Sequence, residues 1–464
     1  MARSWATLGI DLHLEPTGSG GLRRGLTDAL RDAVRTGRLA PGTRLPSSRS
    51  LAADLGIARN TVAEAYADLV AEGWLTARQG SGTRVAPHGT SAPAAPAPPT
   101  PARIPARPRY DLVPGTPDLA AFPRAEWLKA ARRALATAPF HALGYGDPRG
   151  RPELRAALAG YLARARGVRA APDTIVVTAG FSHALTVLGT VLRARGVRTV
   201  AVESYGLDVH WALLRDAGLA TPALPYDDLG TDPGEPGEAG AVLLTPAHQF
   251  PMGTPLHHDR RSAVVAWARR TGGLILEDDY DGEFRYDRQP VGALQGLAPD
   301  RVVYLGTASK SLAPGLRLGW MVLPPDLAAE AASAKGRVDT VGALDQLTLA
   351  EFLTSGAYDR HVRSARLRYR RRRDALATAV AERAPDVRVT GIAAGLHAVL
   401  RLPAGTEESV VQAAAWQGLA LHGLSFHRHP QAPTAPLDAL VVGYGTPPDS
   451  AWAGALEALC RVLP

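Results

Sequence analysis

Gly306-Thr-Ala-Ser-Lys-Ser-Leu-Ala-Pro-Gly-Leu-Arg-Leu-Gly-Trp320 surrounds one of the few lysines in this chain, Lys310. Three of the 52 basic residues are lysine, leaving 49 arginines, so composition has nearly emptied the chain of lysine and kept one here. Arginine stays protonated and forms no Schiff base. A desolvated lysine amine loses its proton and attacks an aldehyde, so this is a position where lysine is chemically irreplaceable. Lys129 and Lys335 lie in helix-like, charge-rich stretches and are expected at the solvated surface.

Outward from Lys310, residues 110–464 alternate apolar runs with helical patterns, which predicts an α/β fold with a mostly parallel sheet. The expected strands cover 174–178, 199–202, 241–245, 273–276 and 302–305. Ligands in such sheets collect beyond the carboxyl ends of strands, where the chemically suggestive residues all fall. Thr178-Ala-Gly-Phe-Ser leads into a helix, so amides near Gly180, Phe181 and Ser182 are expected at a helix N-terminus, a geometry that binds phosphate. Arg317, Thr307 and Ser309 are placed to complete a phosphate clamp. Glu277-Asp-Asp-Tyr280 ends another strand with carboxylates that need a positive partner, and a pyridinium N–H is one. With a Schiff-base lysine, this set describes pyridoxal 5'-phosphate.

Toward the N-terminus, eight prolines between Pro87 and Pro108 mark a semi-rigid linker. The expected division is residues 1–86, a linker over 87–109, and residues 110–464. The first segment reads as a helix over 22–36, with Leu22, Leu26, Leu30 and Val34 on one face, and Gly37 at its end. Pro46-Ser-Ser caps a short helix over 49–55, Gly56 turns, and a helix over 59–72 buries Val62, Tyr66 and Leu69. Two short strands over 74–86 around Gln79-Gly-Ser-Gly82 complete a winged helix-turn-helix. Residues 1–86 carry 11 arginines against eight acids, and residues 87–109 three arginines and no acid. Arg44, Arg49 and Arg59 flank the helix starts, with Thr61 one step further in. This arrangement suits double-stranded DNA, with Ser48, Gly80 and Gly82 as further backbone contacts.

Gly37-Arg-Leu-Ala-Pro-Gly-Thr-Arg-Leu-Pro-Ser-Ser-Arg, Arg59-Asn-Thr-Val-Ala-Glu-Ala-Tyr and Gly80-Ser-Gly-Thr resemble the winged-helix domain of GntR-type regulators. Tyr145-Gly-Asp-Pro-Arg-Gly, Pro246-Ala-His-Gln-Phe-Pro, Glu277-Asp-Asp-Tyr and Ser309-Lys310 to Arg317 resemble fold-type I aminotransferases. The combination is similar to the MocR family of regulators that depend on pyridoxal phosphate. By that resemblance Lys310 is the Schiff-base lysine, Asp278 pairs with the pyridine nitrogen and Tyr280 bonds the phenolic oxygen. Ser182, Ser309 and Arg317 hold the phosphate, and Tyr145 reaches across from the second subunit of a head-to-tail homodimer. Three departures stand out. Phe250 replaces the Asn that bonds the cofactor oxygen. Leu207 stands where an aromatic residue stacks, with Tyr205 as the substitute. Val441 replaces the arginine that grips a substrate carboxylate, leaving Arg428 as the nearest effector-binding candidate.

These readings imply a transcriptional regulator in which Lys310 serves sensing rather than turnover. It responds to pyridoxal phosphate or to an adduct with a small amine or amino acid; the alternative is a working aminotransferase with a DNA reader attached. Length and composition support several cores, and the chain has no apolar run of membrane-spanning length and no signal-peptide pattern, so a cytoplasmic protein is expected. The single Cys460 excludes an internal disulfide. His422, His427 and His429 lack paired carboxylates, and no metal is expected.

Overall fold

The computed structural model describes residues 21–78, 82–87, 108–286 and 292–464. The chain divides into two compact units, Met1–Ala106 and Arg107–Pro464.

In the first unit, α1 (Leu22–Arg35) packs on α3 (Arg59–Ala71), and α2 (Ser48–Leu55) completes the trihelical part. Apolar side chains every three to four residues build its core: Leu26, Leu30 and Val34 from α1 meet Val62, Tyr66 and Leu69 from α3. Leu22 does not join them. It starts the helix, where no turn precedes it to carry the chain over the core, and it is 53% exposed. Ser47 caps α2, its hydroxyl accepting from the Ser50 amide, and Gly56 closes that helix in the left-handed region. Strands β1 (Leu75–Arg78) and β2 (Gly82–Val85) pair antiparallel; Gly80, in the intervening turn, lies outside the described residues.

The second unit is built on a seven-stranded sheet. Its strands are β3 (Ile175–Thr178), β4 (Val200–Glu203), β5 (Ala223–Leu224), β6 (Ala241–Leu244), β7 (Leu274–Asp278), β8 (Val302–Thr307) and β9 (Gly319–Val322). They lie in the order β3-β9-β8-β7-β6-β4-β5, and β9 alone runs antiparallel to its neighbours. Near-continuous burial along β3, β4 and β6 through β9 explains why these strands read as unbroken apolar runs. A smaller antiparallel sheet follows the long helix Ala357–Arg383, with β10 (Arg388–Thr390), β11 (Ala398–Arg401), β12 (His422–Gly423) and β13 (Ala439–Val442) in the order β10-β11-β13-β12. No helix among the described residues is long and apolar enough to cross a membrane.

One expectation about charge is corrected here. Lys129 is exposed, but the side chain of Lys335 is fully buried, and its ammonium donates to Pro148 O and to Asp339 Oδ1, both at 2.6 Å. Asp339 lies past the helix Pro325–Lys335 and folds back to meet it, a pairing that a helical reading of the local pattern misses.

Candidate functional site

Several strand ends converge at the carboxyl edge of the large sheet. Beyond β3, Gly180 takes φ +82 and begins α4 (Phe181–Ala194). A Cβ at Gly180 would lie 2.9 Å from Arg317 Nη2, so glycine is required by both conformation and space. Arg317 is the one described non-glycine residue with positive φ, at +52, and its Nη2 donates to Ala179 O at 2.6 Å. Left-handed backbone in a side-chain-bearing residue is strained and persists where surroundings over-determine it. The result lays a guanidinium against the start of α4, where the first amides and the positive helix end point. Thr307 Oγ1 and Ser309 Oγ, 2.9 Å apart past β8, face the same cavity with Phe181 and Ser182. Together they form an anion cradle.

Lys310 follows directly. Its ammonium donates to the Gly115 carbonyl, and burial lowers its pKa while the carboxylates of Asp278 and Asp281 oppose the shift. Asp278 is the last residue of β7, 7% exposed, and its Oδ1 is buried without a hydrogen-bond partner among the described residues. Burial pushes its carboxyl well above the ordinary range, with the charge of Lys310 opposing. Each group is thus driven toward its neutral form, so desolvation outweighs their mutual attraction. An unpaired buried acceptor costs about 1–3 kcal/mol, which marks Asp278 Oδ1 as awaiting a donor. The cavity holding Lys310, Asp278, Tyr280 and the anion cradle measures about 360 Å³. Its donor set fits pyridoxal phosphate: a cradle for the phosphate, a carboxylate for the ring N–H and an amine for the aldehyde.

Two lining residues carry no signal in the sequence reading. His210, in the first turn of helix Asp208–Asp216, sits 4.5 Å from Phe181 ring to ring. Burial, and then the charge of Lys310, depress its pKa to about 4, so it presents a neutral aromatic surface. His397 precedes β11 and donates through Nε2 to Pro251 O at 2.9 Å; burial takes its pKa to about 3. Leu207, Tyr205 and Phe250 also line the cavity. The hydroxyl of Tyr205 is buried beside the Arg428 side chain, and its ring packs edge-on against Tyr226.

Other expected residues lie apart. Tyr145 is 96% exposed and does not line this cavity. Arg428 donates through Nη2 to Ala432 O at 3.0 Å and Thr434 O at 2.6 Å, so loop carbonyls occupy that nitrogen, and it too is absent from the lining. Val441 is fully buried against Tyr205, Met252 and Val399. Among the described residues, the histidines at 422, 427 and 429 gather no carboxylate at ligand distance; the buried histidine and carboxylate group is His248, Asp281 and His397 instead.

In the first unit, ion pairs link α1 to α3 and its end, where Arg23 meets Asp68 and Glu64 and Arg31 meets Glu72; Arg31 also pairs with Asp28 one turn back on α1. Arg44, Arg49 and Arg59 are exposed and make no ion pair among the described residues. Gly82, at φ +83, lies against the guanidinium of Arg44, with 3.2 Å from its would-be Cβ to Nε. Ser48 and Thr61, in the first turns of α2 and α3, are partly exposed. Most of the acids of this unit are paired on or beside α1, and Arg44, Arg49 and Arg59 at the helix starts form no ion pair among the described residues.

Residues 22–85 match the family described as bacterial regulatory proteins, gntR family, and residues 115–427 match aminotransferase class I and II. The chain is 36% identical to the HTH-type pyridoxine biosynthesis transcriptional regulator PdxR of Corynebacterium glutamicum over 91% of both chains. It is 34% identical to the probable rhizopine catabolism regulatory protein MocR of Rhizobium meliloti over 88% of both. The chain belongs to the MocR family. A MocR-family chain joins a GntR-type winged helix to an aminotransferase fold, and solved structures agree on the second part. Pyrococcus horikoshii kynurenine aminotransferase superimposes with a TM-score of 0.67 at 24% identity, covering 76% of this chain and 90% of that one. This MocR-family protein is therefore a DNA-binding transcriptional regulator with an aminotransferase-like domain.

Proposed function

We propose that this regulator senses pyridoxal phosphate by covalent capture at Lys310, and that capture alters how the winged helix holds its operator. The observation that carries this reading is the buried, partnerless Oδ1 of Asp278 in one cavity with Lys310 and the cradle at Arg317. Asp278 would hold the ring nitrogen, Tyr280 the phenolic oxygen, and Gly180, Phe181, Ser182, Thr307, Ser309 and Arg317 the phosphate. When bound, the cofactor supplies an aldehyde that exchanges between amines and a ring that withdraws electrons. The chain's own groups orient it and exclude water. The working form is a head-to-tail homodimer in the cytoplasm, with the exposed Tyr145 reaching the partner's cavity.

Lys310 and Arg317 are the basic side chains lining the cavity, besides its two neutral histidines, and Arg317 belongs to the cradle. A substrate carboxylate would meet no further guanidinium there, which favours sensing over transamination. The fitting effector is pyridoxal phosphate itself or its adduct with a small amine. Incubation with amino acids and a keto acid tests this: at most one half-reaction per cofactor is expected, and multiple turnovers would overturn the sensor reading.

Gly180→Ala is expected to raise the Kd for pyridoxal phosphate about tenfold, because forcing a Cβ into left-handed backbone costs about 1–2 kcal/mol and displaces Arg317. Equilibrium titration of cofactor absorbance reads the change. In the DNA unit, Arg49→Ala and Arg59→Ala are each expected to weaken operator binding and to lower the slope of log affinity against log salt by about one, without moving cofactor absorbance. Fluorescence anisotropy at several salt concentrations checks both.

A further inference from the structure

Behind Tyr280 lies a buried pair that neither the anion cradle nor Lys310 uses. The side chains of His248 and Asp281 are both 2% exposed, and His248 Nδ1 lies 2.8 Å from Asp281 Oδ2 and 3.0 Å from the Tyr280 hydroxyl. The second ring nitrogen, Nε2, is buried with no partner among the described residues.

This asymmetry selects one tautomer. A proton on Nε2 would face no acceptor and would set the Nδ1 lone pair against a carboxylate oxygen. A proton on Nδ1 is taken by Asp281. With Nδ1 protonated, the ring cannot accept from Tyr280, and the phenolic oxygen can receive from it. Burial first, then the charges of Asp281 and Asp278 and a hydrogen bond from the phenol to Asp281, oppose its ionisation, so Tyr280 keeps its proton and turns it from Asp281 to the cofactor only when that oxygen is present.

The backbone is shaped around this pair. Gly395 takes φ +72, and a Cβ there would fall 2.3 Å from His248 Cε1 and 2.6 Å from Asp281 Oδ2. Its amide donates to Phe284 O at 2.7 Å, and its carbonyl accepts from the hydroxyls of Tyr444, at 2.9 Å, and Tyr286. Gly395, three residues before β11, is thereby held against the imidazole, leaving no room there for a side chain.

We propose that Asp281 and His248 are positioning residues that lock Tyr280 as a hydrogen-bond donor toward the phenolic oxygen of the cofactor. The proposal rests on the pyridoxal phosphate reading for the identity of the acceptor, and it deepens that reading, since Phe250 offers no side-chain donor to the same oxygen. Fewer donors make the orientation of the remaining one decisive. The titratable groups facing the lock are Tyr280, Asp281 and His397, with Lys310, Tyr286 and Tyr444 interacting with Asp281, Asp278 and Glu203 acting on Tyr280, and His427 acting on His397.

The test is the pH titration of the visible absorbance of the cofactor-loaded protein. Tyr280→Phe is expected to move the midpoint by about one pH unit, since a hydrogen bond to a charged oxygen is worth about tenfold or more. Asp281→Asn is expected to move it in the same direction, and the double variant to match Tyr280→Phe alone. An unmoved midpoint in Asp281→Asn, or a full additional shift in the double variant, overturns the lock; a purely structural role would change stability and leave the midpoint in place. If Asp281→Asn does not fold, His248→Gln is held to the same criteria. If the wild-type protein shows no visible band, the cofactor reading fails instead. The nitrogen-15 resonances of His248 in the cofactor-free protein, assigned with His248→Gln, then decide the lock: a proton on Nδ1 alone supports it, and a proton on Nε2 overturns it.

Discussion

Lys310→Ala is expected to abolish the visible absorbance that pyridoxal phosphate acquires on binding, and to leave operator affinity unresponsive to the cofactor. The amine is the group that the cavity prepares for an aldehyde: burial lowers its pKa, and the Gly115 carbonyl fixes its direction. Asp278 and the cradle at Arg317 remain, so weakened noncovalent binding persists while the spectral signature is lost entirely. Lys310→Arg separates chemistry from charge. A guanidinium keeps the positive charge beside Asp278 but cannot form the bond, so Lys310→Arg is expected to behave as Lys310→Ala in both absorbance and DNA binding. Absorbance titration alongside anisotropy with operator DNA measures the two effects in one preparation.

Arg166→Met is the substitution expected to cost most in stability, about 3–5 kcal/mol, because it leaves Asp279 as a buried charge without its partner. Arg166 ends the helix Pro152–Arg166, and its Nε and Nη2 donate to Asp279 Oδ2 at 2.6 Å and Oδ1 at 3.0 Å. The side chains are 3% and 1% exposed, and the Tyr304 hydroxyl donates to Asp279 Oδ2 at 2.8 Å. Asp279 follows Asp278 directly, so this ion pair anchors the strand end that carries Asp278, the residue proposed to hold the cofactor ring. The double variant Arg166→Met with Asp279→Leu is expected to recover much of the loss, since replacing a whole buried pair by apolar residues is often near neutral. Denaturant unfolding of the larger unit, followed by a probe confined to it, checks the ordering of the three proteins.

Five of the seven large-sheet strands were legible because parallel strands buried on both faces produce short apolar runs, and β3, β4, β6, β7 and β8 fall where those runs lie; the two-residue β5 and the antiparallel β9 were not read. The helices of the first unit were legible from the periodicity of Leu26, Leu30 and Val34 and from the turn glycine at 56. The cavity was legible only in part. Gly180, Lys310 and Arg317 stand in strand-to-helix or strand-to-loop passages whose chemistry is local. His210 and His397 reach the same neighbourhood from segments far apart in the chain, and a histidine on a helix start has no local mark distinguishing a lining residue from a surface one. Lys335 misled for the same reason, its partner Asp339 being supplied by a turn rather than by the helix itself.

Operator binding with and without pyridoxal phosphate, measured by anisotropy at fixed salt on the wild-type protein and Lys310→Ala, tests the central claim most directly. The expected result is a cofactor-dependent change of about tenfold or more in wild-type affinity, equivalent to about 1.4 kcal/mol of differential binding between two states, and no change in the variant. Equal operator affinity with and without the cofactor in a wild-type protein that binds it would contradict the account, because a ligand that does not distinguish the two states cannot shift them.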